Sequence, residues 1–212
     1  MSFMILAKVE QAGDRPAFRN WMREGFAARF KDRIAHCTVT LAFEDNAHPA
    51  YDALVEGDGG SRPLFEALRD AFGDQGAAVT VYSVTRMVEK APPAPRLDAV
   101  KMVACIRQRP DLSKAETRRH WDEHVPLALR IHVGASRYVR NWVEEVVLSS
   151  GFSPAGYPGI ATMAFHTEAD FRERLYDTPE NAKVIAEDVA EFMTGTDSFL
   201  GQETLIGWGQ PT

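Results

Sequence analysis

His120-Trp121-Asp122-Glu123-His124-Val125-Pro126 sets two imidazoles four residues apart beside a tryptophan, two carboxylates and a proline. The flanks read as helix: Ser113 and Glu116 form an S-x-x-E capping box, and helical periodicity continues to about His132. In a helix, residues 120 and 124 stack one turn apart. Pro126 has no N–H for the carbonyl of Asp122, so a bend is expected beside His124. About 100 residues earlier, Trp21 occupies the place of Trp121 in the first helix of the N-terminal half, and Glu24 stands where His124 stands. The chain therefore reads as a tandem repeat in which the C-terminal copy alone carries the imidazoles.

Each half follows the same order of elements. In the first, Phe3–Val9 is a strand, and Gly13-Asp14 with Pro16 opens a helix whose buried stripe is Phe18, Trp21, Met22, Phe26 and Phe30. Ile34–Phe43 is a second strand, with His36, Thr38 and Thr40 on one face and Cys37, Val39 and Leu41 on the other. Tyr51–Val55 is a short third strand ended by Gly57-Asp58-Gly59-Gly60. Ser61 caps a helix through Phe72, and Val79–Val88 is the fourth strand. This is the βαββαβ, or ferredoxin-like, order.

After the proline-rich stretch 91–97, the order restarts with a strand at Val100–Ile106 and the capped helix. A strand at Tyr138–Leu148, a Gly/Pro-rich loop at Gly151–Pro158 and a strand at Ile160–Phe165 follow. A short helix then carries Phe171 and Leu175. Thr178-Pro179 starts another, whose buried face is Val184, Ile185, Val189 and Phe192, and a last strand holds Thr204–Ile206. The expected organisation is a ferredoxin-like repeat at 1–90, a linker at 91–97 and a second repeat at 98–212. Two such sheets packed face to face would cover each other's apolar sides, and a ligand cavity is expected between them.

With 45% hydrophobic and 25% charged residues, the composition is that of an ordinary globular protein. The net charge of −6 gives no basic face for nucleic acid, and residues 1–90 and 91–212 are both mildly acidic. No apolar run reaches the roughly 18 residues of a membrane span, and Met1–Val9 reads as a strand rather than a leader. Cys37 and Cys105 lie singly in apolar runs and read as buried, reduced thiols of a cytoplasmic protein. There is no P-loop, dinucleotide fingerprint or nucleophile elbow.

The segments Val100-Lys101-Met102-Val103, Arg107-Gln108-Arg109-Pro110-Asp111-Leu112-Ser113, Trp121-x-x-His124-x-Pro126 and Arg137-Tyr138-x-x-Asn141 resemble, in that order, the EthD family of the dimeric α+β barrel superfamily. The resemblance spans roughly residues 98–206, and 1–90 look like a diverged copy without the W-x-x-H-x-P element. It implies an α+β fold in which the two tandem repeats form a dimeric α+β barrel within one chain. It also implies a small-molecule pocket, and it carries over Trp121, His124, Pro126, Tyr138 and Asn141. The superfamily includes cofactor-free monooxygenases, isomerases, cyclases and dehydratases as well as haem enzymes.

The expected function is that of a cofactor-independent enzyme, of isomerase, dehydratase or monooxygenase type, acting on a small apolar, aromatic or cyclic carbonyl compound. His124 would be the acid/base, with Tyr138 and Asn141 orienting the substrate oxygen. Trp121, Arg140, Trp142, Met163 and Phe165 would contact the substrate. By strand alternation Tyr138, Arg140 and Trp142 share a face that is expected to meet the cavity, with Asn141 on the other.

Other readings stay open. His124 is also placed to bond a carbonyl freed by Pro126. Trp121 reads as core because Trp21 repeats it, and Asp197 reads as a turn residue. His120 and His124 lack the spacing of a zinc helix. The alternatives to an enzyme are a binding protein for a small hydrophobic molecule and a haem- or metal-binding barrel. The chain is expected to be a monomer with an internal pseudo-dimer, or a homodimer.

Overall fold

A computed structural model describes residues 1–46, 49–91, 99–151 and 156–206. Its strands and helices are β1 (Ser2–Val9), α1 (Arg15–Asn20), α2 (Phe26–Phe30), β2 (Ala35–Ala42), β3 (Ala53–Asp58), α3 (Arg62–Gly73), β4 (Ala77–Lys90), β5 (Val100–Gln108), α4 (Lys114–Ile131), β6 (Ala135–Ser150), β7 (Gly159–Phe165), α5 (Glu168–Arg174), α6 (Pro179–Val189) and β8 (Met193–Leu205). The fold is a mixture of helices and strands in which each half shows the βαββαβ order. The proline-rich stretch read as a linker lies outside the described residues from 92 to 98, as does much of the Gly/Pro-rich loop, from 152 to 155.

The described residues group into two compact units. One gathers those of Met1–Thr85, Val143–Ala155 and Gly201–Thr212; the other gathers Arg86–Trp142 and Gly156–Leu200. The long strands β4, β6 and β8 thus contribute a stretch to each. In the first unit β1 lies between β3 and β4, with Ile5 opposite both Val55 and Val81. β2 follows β3, and Thr40 of β2 faces Glu203 of β8. The core of this unit sits under the helices. Phe3 and Ile5 of β1 meet Phe18, Met22, Phe26 and Phe30 of the first helical stretch and Leu64, Phe65, Leu68 and Phe72 of α3. Cys37, Val39 and Leu41 join that core, as alternation along β2 requires. Between α1 and α2 the helix widens into a π turn at Trp21–Gly25.

In the second unit the ladder runs β8-β5-β7-β6. Met102 faces Met163, which in turn faces Tyr138; the next row is Ala104, Ala161 and Arg140. These rows point at the helices of the unit, and they position the site described below. Cys105 has the opposite parity on β5 and is fully buried.

The structure corrects several local expectations. The third strand is Ala53–Asp58, so Gly57 and Asp58 belong to a strand rather than a turn. Gly57 is there because a Cβ would come within 2.5 Å of Ile34 and 2.8 Å of Phe3. Ser61 occupies the N-cap position of α3 without a side-chain cap bond. The last strand is thirteen residues long. Its polar alternation and Gly195 at φ 148° conceal it from a reading based on apolar runs. Asp197 therefore lies in β8, where it pairs with the Arg107 guanidinium and accepts a 2.7 Å hydrogen bond from Tyr157. Val184 is exposed, leaving Ile185 as the buried residue of α6.

Candidate active site

Helix α4 begins at a reciprocal cap: the Glu116 amide donates to Ser113 Oγ, and the Ser113 amide donates to Glu116 Oε2 at 2.8 Å. The helix runs unbroken through Pro126 to Ile131. Thr117, Trp121, His124, Val125, Ala128 and Ile131 form its buried stripe. Thus Trp121 and His124 enter the interior while Asp122, Glu123 and Pro126 face outward. The two histidines of the opening motif part company here: the His120 ring is 28% exposed beside Glu123 and the His124 ring only 6%.

A cavity of about 270 Å³ lies within the second unit, between its strands and its helices. Met102, Ala104 and Ile106 of β5, Tyr138 of β6, and Ala161 and Met163 of β7 form one wall. Trp121, His124 and His132 from α4 and its C-cap, Ile185 and Val189 of α6, and Phe192 form much of the other. This differs from the expectation of a cavity between two sheets. The strand faces that carry Met102 and Met163 are covered by the helices, and the space is left under the imidazoles.

His124 does not bond a carbonyl freed by Pro126. Its Nδ1 lies 2.5 Å from Oδ2 of Asp188, 64 residues later on α6. A carboxylate only accepts, so Nδ1 carries the proton and Nε2 keeps its lone pair. Nε2 bonds to none of the described residues. Burial holds the His124 pKa below the ordinary imidazole value of 6.5, against the opposing pull of Asp188. Opposite, Trp121 Nε1 donates to the Tyr138 hydroxyl at 3.0 Å, so that oxygen acts as acceptor and its own proton remains available to donate. Burial pushes the Tyr138 pKa up to about 12, and the phenol stays protonated. Phe192 stacks on Trp121, 6.1 Å between ring centroids, and packs against the His124 ring at 5.5 Å.

Of the residues expected from sequence, His124, Tyr138, Trp121 and Met163 line the cavity, and the others do not. Asn141 projects from the opposite face of β6, as strand parity dictates, and its Nδ2 donates to the Ile160 carbonyl. Arg140 is a buried cation clamped by Glu89 at 2.6 Å and Asp122 at 2.6 Å, with its guanidinium over Trp121 and Trp142. Trp142 packs edge-on against Trp121 at 4.7 Å, and Phe165 packs against Phe171. Arg140 and Trp142 thus hold Trp121 in the wall. Gly159 does the same by omission: a Cβ there would fall 2.6 Å from the Trp121 ring.

Two residues escaped the sequence reading. Asp188 has no local signature, since its partner is on another helix. His132 closes α4 as its C-cap, and its Nδ1 lies 2.7 Å from the Leu175 carbonyl.

At about 270 Å³ the cavity lies just below the roughly 300–1,000 Å³ range of drug-sized ligand sites. Among the described residues no group of three or more His, Cys, Asp or Glu is arranged to hold a metal ion. No helix among them is long and apolar enough to cross a membrane.

Residues 109–196 match the EthD domain. No curated protein matches the chain by sequence. Among solved structures, an anthrone oxidase-like protein aligns over 96% of this chain and 90% of its own, with a TM-score of 0.60 at 11% identity. A monooxygenase-like protein from Lactobacillus acidophilus NCFM aligns over 97% and 96%, with a TM-score of 0.54 at 8% identity. A mutant chlorite dismutase from Candidatus Nitrospira defluvii aligns over 97% and 91%, with a TM-score of 0.55 at 9% identity. At such identities the likeness is one of fold alone, a mixed arrangement of helices and strands. The capped helix, the W-x-x-H-x-P element and Asp188 all fall inside the segment that matches the EthD domain.

Proposed function

We propose that this chain is a cofactor-independent enzyme of EthD type that removes a proton from a small aromatic or cyclic carbonyl compound held in the cavity of the second unit. The observation that carries the reading is the His124–Asp188 pair in the wall of an otherwise mostly apolar cavity. In this reading Nε2 of His124 takes a proton from the carbon next to the carbonyl. The Asp188 carboxylate fixes the tautomer and stabilises the imidazolium that forms. The Tyr138 hydroxyl donates to the carbonyl oxygen as it gains charge. The enolate so formed is the common starting point for isomerisation, dehydration and oxygenation, and the family likeness favours an enzyme of that group. Met102, Met163 and Ile185 supply apolar contact for one or two rings.

Hydrogen–deuterium exchange tests the step without requiring the natural product. In D2O the wild-type chain is expected to accelerate exchange at the acidic carbon of small bicyclic ketones such as 2-tetralone. His124→Asn is expected to lower that rate by about 10²–10⁴, and Asp188→Asn to lower it less, with thermal unfolding little changed. A folded His124→Asn chain that exchanges as fast as wild type would remove His124 from the mechanism. Saturable binding of such ketones without exchange would make the chain a binding protein.

A further inference from the structure

The cavity holds a second imidazole that the proton transfer just described leaves unused. His132 follows His124 by eight residues, about 12 Å along a helix axis at 1.5 Å per residue, so the two rings serve different parts of one cavity. Both are fixed by the same atom: Nδ1 of His124 meets Asp188, and Nδ1 of His132 meets the Leu175 carbonyl. A carbonyl oxygen only accepts, so His132 must carry its proton on Nδ1, and Nε2 is left as an acceptor. That Nε2 bonds to none of the described residues, although His132 is only 8% exposed. Since His132 lines the cavity, that acceptor is open to a ligand donor.

The partners of the two rings differ in charge, and that separates their tasks. Asp188 supports a positive charge on His124 with a full negative charge, whereas Leu175 offers His132 only the dipole of a neutral carbonyl. Burial outweighs the opposing pull of that carbonyl on the second ring and holds its pKa below the ordinary value. A neutral imidazole acceptor selects a hydroxyl donor over a carboxylate, which would bring a charge into the cavity without a cationic partner.

Resting on the reading of this cavity as a substrate site, we propose that His132 is a second substrate-contacting residue whose Nε2 accepts a hydrogen bond from a ring hydroxyl. The cavity would then take hydroxylated aromatic or alicyclic carbonyl compounds in preference to unsubstituted ones. His124 handles the reacting carbon and His132 reads the hydroxyl.

Paired probes of one shape test this: 2-naphthol and naphthalene, with binding followed by equilibrium dialysis. Wild type is expected to hold 2-naphthol about tenfold more tightly, the ratio given by one hydrogen bond of about 1.4 kcal/mol. His132→Phe is expected to bring that ratio to about one while retaining naphthalene. The ¹⁵N resonance of His132 Nε2 in the wild-type chain supplies a readout independent of any variant, and it is expected to move with 2-naphthol and not with naphthalene. Equal binding of the two probes by wild type, a preference that survives in folded His132→Phe, or an unmoved Nε2 resonance would overturn the proposal. A preference lost with His132 in a chain that catalyses no exchange would uphold it while the acid/base role of His124 fell.

Discussion

Buried imidazoles couple this site to pH. Burial lowers the pKa of both His124 and His132 from 6.5 in the folded chain, so the unfolded chain binds protons more readily. Stability from these residues is therefore complete above pH 6.5 and is lost as pH falls through their lowered folded values. The urea midpoint is expected to decline once pH drops below about 6.5. Asp111, Glu116, Asp170 and Asp197 are held below the usual carboxylate range, mainly by hydrogen bonds, and they give way only in stronger acid. A double variant, His124→Asn with His132→Gln, is expected to flatten the first decline and leave the second.

Arg140 makes a different point at the same scale. Its guanidinium is 4% exposed and its carboxylate partner Glu89 is 16% exposed. Removing the cation strands a mostly buried anion, so Arg140→Ala is expected to cost about 3–5 kcal/mol, measured by denaturant unfolding. A much smaller loss would mean that water reaches Glu89 freely.

Helix α4 is the element on which the site depends, and Pro126 is its anomaly. It sits on the exposed side, and the Asp122 carbonyl gains no helical bond from it. Pro126→Ala restores that donor and is expected to raise stability by up to about 3 kcal/mol, read as an increase in Tm. If the substitution also slows exchange, the proline helps to set the angle of His124; if the rate is unchanged, it does not.

This helix also shows why parts of the structure are legible in sequence. Ser113 and Glu116 lie three residues apart, and their cap is a local bond; the buried spacing of Trp121, His124 and Ala128 is equally local. Asp188 is 64 residues from the ring it orients, so no periodicity points to it. β8 was hidden because it alternates polar residues and carries a positive-φ glycine. The cavity was misplaced for a related reason. Strand parity correctly groups Tyr138 with Arg140 and Trp142, but parity does not say whether helix or sheet covers that face, nor that Arg140 is held by Glu89.

At the scale of the whole molecule, the two cysteines become useful because they are chemically silent in the folded chain. Cys37 lies on β2 in the first unit and Cys105 on β5 in the second, both fully buried. Burial raises the Cys37 thiol to about 12 and that of Cys105 well above its ordinary value, so neither offers a reactive thiolate at neutral pH. Labelling by a thiol reagent must then await an opening fluctuation, and its rate measures how often each thiol's surroundings come apart. The chain thus contains one native clock per unit. A ligand seated between Ala104 and His124 is expected to slow modification of Cys105, as followed by mass spectrometry of the two cysteine peptides. If Cys37 slows by the same factor, the two units open in a single cooperative event; if it keeps its own pace, the site can loosen without disturbing the half that lacks it.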